Sequence, residues 1–264
     1  DSSDFSIARN NIIFSNASHG IYSASHNVTI RDNIIDTNTG SPIYTTGDNQ
    51  TIINNTLTSI SSNALDISGD YSTVLDNYAF SNNTYGINVI GYYSNFTSNT
   101  GLSNSSAGLY IDSYMSNIIN NNATSYSGKG GLIFASEALY VKDNYFFGTE
   151  DDGLKMDLGS YNNTFINNTI RSDGNDALDV DASYLNVFID NIAETNGSSR
   201  GCHFPDSYNN TMIGGLCNAS HAVYFTNSEN NTFTNVTISG SLYDIYSPSF
   251  GGVDTYNNVF INSS

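Results

Sequence analysis

The sequence has few positive charges and no long apolar segment. Only seven lysine and arginine residues stand against 25 aspartate and glutamate residues, which gives a formal net charge of −18. Because phosphate binding needs clustered Lys and Arg side chains, we expect neither nucleic acid nor an anionic membrane as a partner. No apolar run approaches the roughly 18 residues that cross a bilayer, so we expect no membrane insertion. Cations and neutral glycans suit this charge better.

Tryptophan is absent, and charged residues make up only 12% of the 264 residues, so solubility must come from neutral polar groups. The start of the chain does not resemble a signal peptide, and we expect an already processed, soluble product. The abundant asparagines create sixteen Asn-x-Ser/Thr sequons, which predict a glycoprotein that is extracellular or at the cell surface. The alternative is that a repeat rich in Asn and Thr creates sequons by accident. The sequon asparagines are Asn16, Asn27, Asn49, Asn54, Asn82, Asn95, Asn104, Asn122, Asn162, Asn167, Asn196, Asn209, Asn218, Asn230, Asn235 and Asn262.

Asparagine also recurs with a fixed spacing. Positions 11, 33, 55, 77, 99 and 121 are each 22 residues apart, and Asn144, Asn168 and Asn191 continue the series with slightly longer spacing. A period of this length is typical of solenoids. Asn tolerates the left-handed backbone of a sharp corner, and stacked side-chain amides hydrogen-bond from coil to coil. We therefore predict that these ladder asparagines are structural corner residues.

Three short β-type stretches accompany each period, and side chains alternate between the two faces of a strand. The first wall ends at the ladder asparagine, the second begins with GIYS-like segments, and the third follows the asparagine. Residues predicted to face inward from the first wall are Ile30, Ile52, Val74, Phe96, Ile118, Val141, Phe165 and Phe188. Those of the second wall are Ile21, Ile43, Leu65, Ile87, Leu109, Leu132, Leu154, Leu178, Cys202 and Val223. Those of the third wall are Ile35, Leu57, Ala79, Ala123, Phe146, Ile170, Ala193 and Cys217.

No segment has the apolar period of an amphipathic helix, and one repeat is too short for a strand plus a substantial helix. The sequence therefore predicts an all-β fold, a single-stranded right-handed parallel β-helix of about twelve coils with about 22 residues each. It would have three parallel sheets and form a single domain over residues 1–264. Neither residues 1–5 nor residues 260–264 resemble a polar capping helix, so we expect end-to-end stacking of copies, or other domains of a surface protein, to cover the ends.

Cys202 and Cys217 are the only cysteines, and both are expected to point into the interior. In an oxidising compartment a disulfide between them would join opposite walls, and two buried free thiols are the alternative.

The phrases NNTFINNTI, NNTMIGG and GIYS resemble the repeats of NosD-like proteins and of the wider carbohydrate-binding and sugar-hydrolase β-helix superfamily. Many of these are cell-surface proteins of methanogenic archaea. The resemblance covers essentially the whole chain and implies the parallel β-helix fold. It leaves the activity open, because the superfamily includes polysaccharide lyases, glycosidases, epimerases, phage tailspikes, adhesins and surface-layer components.

Charged residues concentrate in three consecutive repeats, EDDGLKMD, GNDALDVD and SRGCHFPD. Superposing them on their inward residues predicts three outward stacks, namely Asp152 with Asp176 and Arg200, Lys155 with Asp179 and His203, and Asp157 with Asp181. In a glycosidase, Asp179 and Asp181 would be acid and base.

In a lyase, Ca²⁺ would lie on Asp152, Asp157, Asp176 and Asp181, Lys155 or Arg200 would take a proton, and His203 would serve either enzyme. The alternative is a surface salt bridge between Lys155 and Asp179, worth at most about 1 kcal/mol, among solvated acids or around a structural cation. Neither polygalacturonase nor lyase arginine motifs are found, which disfavours catalysis.

Tyrosines form a second candidate surface. Tyr92, Tyr114, Tyr161, Tyr184 and Tyr208 each precede a ladder position by seven residues, whereas Tyr22, Tyr44, Tyr110 and Tyr224 are predicted to face outward from the second wall. Such rings stack on sugars or on one another.

Three functions follow. The leading hypothesis is an extracellular, glycosylated structural or adhesive cell-surface protein, assembling head to tail into a filament or forming a module of a larger surface protein. The second is a polysaccharide-acting enzyme, a lyase or glycoside hydrolase, around Lys155 and Asp181. The third is a non-catalytic carbohydrate-binding module.

Overall fold

The computed structural model describes residues 6–248 and 255–264, and within these ranges the chain is a right-handed parallel β-helix without an α-helix. The 12 strands of one sheet mark about 11 turns of about 22 residues, which confirms the predicted fold class. Among the described residues, no helix is long and apolar enough to cross a membrane. Residues 1–5, discussed above as an uncapped start, lie outside the described ranges, and residues 260–264 contain no helix.

Thirty-two strands follow one another along residues 6–248 and 255–264. They are β1 (Ile7–Arg9), β2 (Ile12–Ser15), β3 (Ile21–Ser23), β4 (Thr29–Arg31), β5 (Ile34–Thr37), β6 (Ile43–Thr45), β7 (Thr51–Ile53), β8 (Thr56–Ser59), β9 (Leu65–Ile67), β10 (Thr73–Leu75), β11 (Tyr78–Ser81), β12 (Ile87–Val89), β13 (Asn95–Thr97), β14 (Thr100–Ser103), β15 (Leu109–Ile111), β16 (Asn117–Ile119), β17 (Asn122–Ser125), β18 (Gly131–Phe134), β19 (Tyr140–Lys142), β20 (Tyr145–Gly148), β21 (Leu154–Asp157), β22 (Thr164–Ile166), β23 (Thr169–Ser172), β24 (Leu178–Val180), β25 (Val187–Ile189), β26 (Ile192–Thr195), β27 (Arg200–Pro205), β28 (Thr211–Ile213), β29 (Leu216–Thr226), β30 (Thr232–Thr234), β31 (Thr237–Tyr246) and β32 (Val259–Ile261).

Up to β27 the coils supply separate strands to three walls, and the strand pairings between coils are parallel. The first wall is a 12-stranded sheet that runs from β1 through β4 to β32. The second wall contains β3, β6 and their equivalents up to β27, and the third contains β2, β5 and their equivalents up to β26. The long strands β29 and β31 pass through the corner between these two walls and join them into one 20-stranded sheet.

The ladder asparagines hydrogen-bond from coil to coil, as predicted. From Asn11 to Asn191, the Nδ2 of each donates to the Oδ1 of the next over 2.8–3.1 Å. The same amides also donate to backbone carbonyls at the corner, so they pair polar groups that would otherwise be buried without partners. The ladder ends at Gly215, where a Cβ atom would lie 2.1 Å from the carbonyl oxygen of Asn191.

The left-handed corner residue is the one before each ladder asparagine, which corrects the prediction that the ladder asparagine itself takes this backbone. Asp32, Asp76 and Ser98 have φ angles of 58°, 55° and 55°. Asp and Asn tolerate the left-handed region better than most residues. The ladder asparagine thus keeps its side chain pointing into the corner, where the buried carbonyls are.

The interior contains the predicted apolar stacks. All eight predicted residues of the first wall, including Phe165 and Phe188, are at most 1% exposed, and those of the third wall are fully buried. In the second wall Ile21 is half-buried, and Tyr22, Tyr44, Tyr110 and Tyr224 point outward.

Leu132 is the exception to this pattern. Gly131, not Leu132, is paired with the inward residues Leu109 and Leu154, and Leu132 lies half-buried on the outer face. A Cβ at Gly131 would come within 2.6 Å of the Phe146 ring, so this ring occupies the space of the missing side chain. Because residues 130 and 131 are both glycine, aligning the repeats did not reveal that this coil is shifted by one residue.

A second amide ladder, which the sequence alignment missed, lies at the corner between the second and first walls. Asn163, Asn186, Asn210, Asn231 and Asn258 are joined by Nδ2 to Oδ1 hydrogen bonds of 3.0–3.1 Å. The sequence signal is the asparagine two residues after each of Tyr161, Tyr184, Tyr208, Glu229 and Tyr256. Together the two ladders hold opposite ends of the first wall in register.

A disulfide joins Cys202 of the second wall to Cys217 of the third, with the Cα atoms 5.7 Å apart. Of the two alternatives left open by the sequence, the structure has the bonded form. Both residues are fully buried.

Replacing a ladder asparagine will destabilise the rod. In Asn77→Ala the carbonyls of Ile52 and Leu75 lose the Nδ2 donor of Asn77, and the backbone N–H and Nδ2 of Asn55 lose its Oδ1 acceptor. We therefore expect a loss of about 2–3 kcal/mol in the free energy of unfolding. Urea unfolding followed by circular dichroism measures this loss. Asn83→Ala, at an exposed position, is the control and should stay within about 0.5 kcal/mol of wild type.

Removing the disulfide should also lower stability. The bond closes a loop of 15 residues, so the Cys202→Ala/Cys217→Ala variant should lose about 3 kcal/mol in thermal or urea unfolding. A reductant should destabilise the wild type towards this value and leave the double variant unchanged. Equal stability of the two proteins under oxidising conditions would contradict the expectation.

Candidate functional site

The three charged repeats meet on the outer face of the second wall. Along this face the residues Leu132, Lys155, Asp179, His203 and Tyr224 are direct neighbours on successive strands from β18 to β29, which confirms the predicted stack of Lys155, Asp179 and His203. Ten ionisable side chains lie in or beside this row. We call them the charged cluster: Lys129, Asp151, Asp152, Lys155, Asp157, Asp176, Asp179, Asp181, Arg200 and His203.

Lys155 lies among three carboxylates. Its Nζ is 2.9 Å from Asp181, 3.4 Å from Asp179 and 3.8 Å from Asp157, so Asp181 is a closer partner than the predicted Asp179. Burial opposes the charge of Lys155, but the hydrogen bond to Asp181 and the three negative charges outweigh burial and raise its pKa. Lys155 therefore stays protonated at neutral pH and is better suited to hold carboxylates in place than to take a proton.

His203 contacts two carboxylates and one guanidinium. Its Nδ1 lies 3.0 Å from Asp176 Oδ2 and 3.0 Å from Asp179 Oδ1, and Arg200 Nη1 lies 3.1 Å from its Nε2. Burial disfavours the protonated ring, but Asp176 and Asp179 outweigh burial and raise the pKa of His203. Arg200 also bonds Asp176 Oδ1 over 2.7 Å. Because a protonated ring carries a hydrogen on Nε2, proton uptake by His203 requires Arg200 Nη1 to turn away.

Asp152 is buried at the corner of the cluster and is 2% exposed. It accepts hydrogen bonds from Asn175 Nδ2 over 2.8 Å and from the Asp176 backbone over 3.2 Å. Burial, and then the charges of Asp179, Asp151 and Asp176, raise its pKa to about 7, against a small opposing effect of Lys129. A carboxyl group with this pKa exchanges a proton near neutrality, as acid–base catalysts do.

The four predicted calcium ligands form two pairs and not one group. Asp152 and Asp176 meet at the corner, whereas Asp157 and Asp181 both contact Lys155. In the described part of the chain, the side chains able to share a metal ion are Asp176, Asp179 and His203, whose ligand atoms lie within 4.8 Å of one another. A nitrogen among these donors favours a transition metal over Ca²⁺.

Aromatic rings flank the charged cluster along the rod axis. On one side Tyr85 and Tyr110 stack with ring centroids 4.6 Å apart, and Phe134 lies 6.0 Å from Tyr110. On the other side, Tyr224 lies under the Arg200 guanidinium at 5.0 Å. Flat aromatic surfaces beside polar groups are the usual contacts of sugar rings.

Two cluster residues, Lys129 and Asp151, were not predicted. The Nζ of Lys129 lies 2.5 Å from Asp151 and 3.9 Å from Asp152. The repeat that contains Gly130 and Gly131 was aligned one residue out of register. The alignment therefore did not show that Lys129 lies beside Asp152. Shifting the repeat by one residue at Gly131 would have revealed it.

The sequon asparagines are all accessible. Thirteen of the sixteen are exposed, and Asn27, Asn82 and Asn218 are half-buried. The ladder asparagines, which are buried from Asn33 to Asn191, are not sequons. Glycosylation at these positions stays a prediction.

The fold and the outer charged face define a parallel β-solenoid with a candidate site on one wall. A family model described as right-handed β-helix region matches residues 63–215, more than half of the chain. The chain therefore belongs to the right-handed β-helix family. A second model, described as periplasmic copper-binding protein (NosD), matches residues 1–100, and the predicted NosD-like resemblance is confirmed.

Solved structures with the same fold include two epimerases. The A-module of the mannuronan C-5 epimerase AlgE6 of Azotobacter vinelandii is 12% identical with a TM-score of 0.57, and the alignment covers 97% of this chain and 80% of that module. The periplasmic alginate epimerase AlgG is 10% identical with a TM-score of 0.60, covering 97% of this chain and 77% of that one. At these identities the likeness shows the fold alone. No curated protein matches the sequence.

The burial of Asp152 predicts an unusual pH dependence of stability. Because its pKa rises from 3.8 to about 7 on folding, the folded state binds more protons between these values, and stability falls as pH rises through that window. The full effect is about 4 kcal/mol. Asp152→Asn should remove this fall and unfold at higher urea than wild type at pH 8. The exposed Asp173→Asn in a neighbouring repeat is the control, and an equal pH profile in all three proteins would refute the assignment.

Proposed function

We propose that this protein acts outside the cytoplasm on a polysaccharide that lies along the outer face of the second wall, with acid–base chemistry at the charged cluster. The observation that carries the proposal is the concentration of buried ionisable groups in adjacent coils. Asp152, Asp176, Asp179 and His203 are each at most 7% exposed.

Burying charged groups costs desolvation energy that ion pairing often fails to recover. The rod does not depend on this cluster for its architecture, because amide ladders and apolar stacks continue through coils that lack it. Groups that are costly to bury and have shifted pKa values concentrate at functional sites. This argues for function and against the simple surface salt bridge considered from the sequence.

The charge of the cluster selects among substrates. Six carboxylates face only Lys129, Lys155 and Arg200 as permanent cations, so the site repels an acidic polysaccharide and favours a neutral one. Tyr110 and Tyr224 lie five coils apart on this face, about 24 Å along the axis. A glycan chain of several sugars spans this distance and stacks on both rings.

Within the cluster, accessibility and charge suggest the roles. The Asp181 side chain is 30% exposed and its Oδ2 lies 2.9 Å from Lys155 Nζ, so it is placed to accept a proton. His203 lies on the coil after Asp181 and contacts both Asp176 and Asp179, and it is placed to donate a proton. Lys155 and Asp179 then position the two groups.

The enzymatic proposal is tested by reducing-sugar release from a panel of neutral and acidic polysaccharides. We expect turnover of a neutral member, with Asp181→Asn and His203→Gln each lowering kcat at least about 100-fold. Asp173→Asn, exposed and outside the cluster, should retain wild-type activity. Full activity in the first two variants, or no turnover of any polysaccharide by the folded protein, would overturn the proposal.

The structural or adhesive role remains a second candidate. Parallel pairing in the first wall continues in register from β1 to β32, and pairing of this kind extends between molecules that stack head to tail. Electron microscopy of the native protein distinguishes the roles, because a filament would show one subunit per about 55–60 Å. Dispersed particles would count against it. Location at the cell surface is part of the same proposal.

A further inference from the structure

A column of aromatic rings runs along the corner between the second and first walls, and two carboxylates, Glu137 and Glu229, interrupt it. Tyr114, Glu137, Tyr161, Tyr184 and Tyr208 are neighbours on successive coils. The rings of Tyr161, Tyr184 and Tyr208 stack at 5.1 Å and 4.8 Å and are parallel within 4°. At Glu137 there is no ring, so Tyr114 and Tyr161 are two coils, about 9.6 Å, apart.

A cavity of about 390 Å³ lies at this interruption, lined by Tyr92, Asp112, Ser113, Tyr114, Ala135, Glu137 and Tyr161. The rings of Tyr92 and Tyr114 are perpendicular, at 83° with centroids 6.4 Å apart. With Tyr161 on the far side of Glu137, three rings line one space. We call this cavity the cage pocket.

The cage pocket carries negative charge that no basic side chain neutralises. Across residues 6–248 and 255–264, neither Asp112 nor Glu137 forms an ion pair, whereas the carboxylates of the charged cluster do. Burial raises the pKa of Asp112, so its ionised form is poorly solvated. The hydrogen bond between the Tyr161 hydroxyl and Glu137 contributes most to raising the pKa of Tyr161 to about 12. The phenol therefore stays protonated and donates to this carboxylate.

We propose that the cage pocket binds an organic cation, a quaternary ammonium or protonated amine group. Ring faces attract cations through their quadrupole, and aromatic walls around a carboxylate are the usual solution for alkylated ammonium groups. A neutral sugar would use the rings but leave both carboxylates uncompensated. A bare metal ion would use the carboxylates but gain little from the rings. This proposal does not depend on the polysaccharide activity.

The decisive comparison is between choline and 3,3-dimethylbutan-1-ol, in which carbon replaces the charged nitrogen. In NMR titrations of the protein, choline and tetramethylammonium should shift the resonances of Tyr92, Tyr114 and Tyr161 saturably, and the neutral alcohol should bind at least about tenfold more weakly. Glucosamine tests an amine carried on a sugar. If glucosamine binds more tightly than choline, the natural cation belongs to a glycan. Equal binding of choline and its neutral isostere, or no saturable shift with any cation, overturns the proposal.

Variants separate the pocket from the rest of the column. Glu137→Gln keeps the shape and removes the charge, and Tyr114→Ala removes a wall; each should weaken choline binding about tenfold. Glu229→Gln is the matched control, because Glu229 occupies the same column between Tyr208 and Tyr256 but does not line the cavity. Choline affinity that falls equally in Glu229→Gln, or that is unchanged in Glu137→Gln, would refute the assignment, and circular dichroism checks that each variant is folded.

Discussion

The structure depends on satisfying backbone polar groups at its corners. A coil of three short strands turns sharply, and each turn buries carbonyl and amide groups that the sheets do not pair. The asparagine ladders pair them, because each side-chain amide donates to backbone carbonyls and to the next amide in the row. Since the donor and acceptor lie on different coils, every coil is positioned by its neighbours. The register of the walls follows from this constraint.

Fixed register turns the outer surface into columns of equivalent positions. A residue type that recurs at one position of the repeat becomes a continuous row, as with the stacked Tyr161, Tyr184 and Tyr208. A change in residue type creates a local site in that row. The charged cluster is such a change on the second wall, and Glu137 is another on the adjacent corner. In this architecture, candidate functional sites therefore lie where the residue type of a column changes.

Most of the fold could be predicted from the repeat. Its period, the alternation of inward and outward side chains and the asparagine ladder are local properties that aligning the repeats reveals. Side chains such as Ile52 and Phe188 lie inside because their positions in the repeat require it. Leu132 was misplaced because the volume of Phe146, on another wall, decides which residue of the tandem glycine segment fits inside. The stacking of Lys155, Asp179 and His203 followed from register alone. The burial of Asp152 and the pairing of Lys155 with Asp181 did not, since they depend on side-chain directions that periodicity does not specify.

The position of the disulfide gives the rod a mechanical asymmetry. A solenoid opens coil by coil, because each coil contacts only its neighbours. The bond between Cys202 and Cys217 joins β27, the strand that carries His203, to β29 on the third wall. Unfolding that advances from the C-terminal coils therefore reaches the disulfide before it reaches Asp179 and Lys155. The coils after the disulfide can therefore open while the strands that carry Lys155 and Asp179 stay paired.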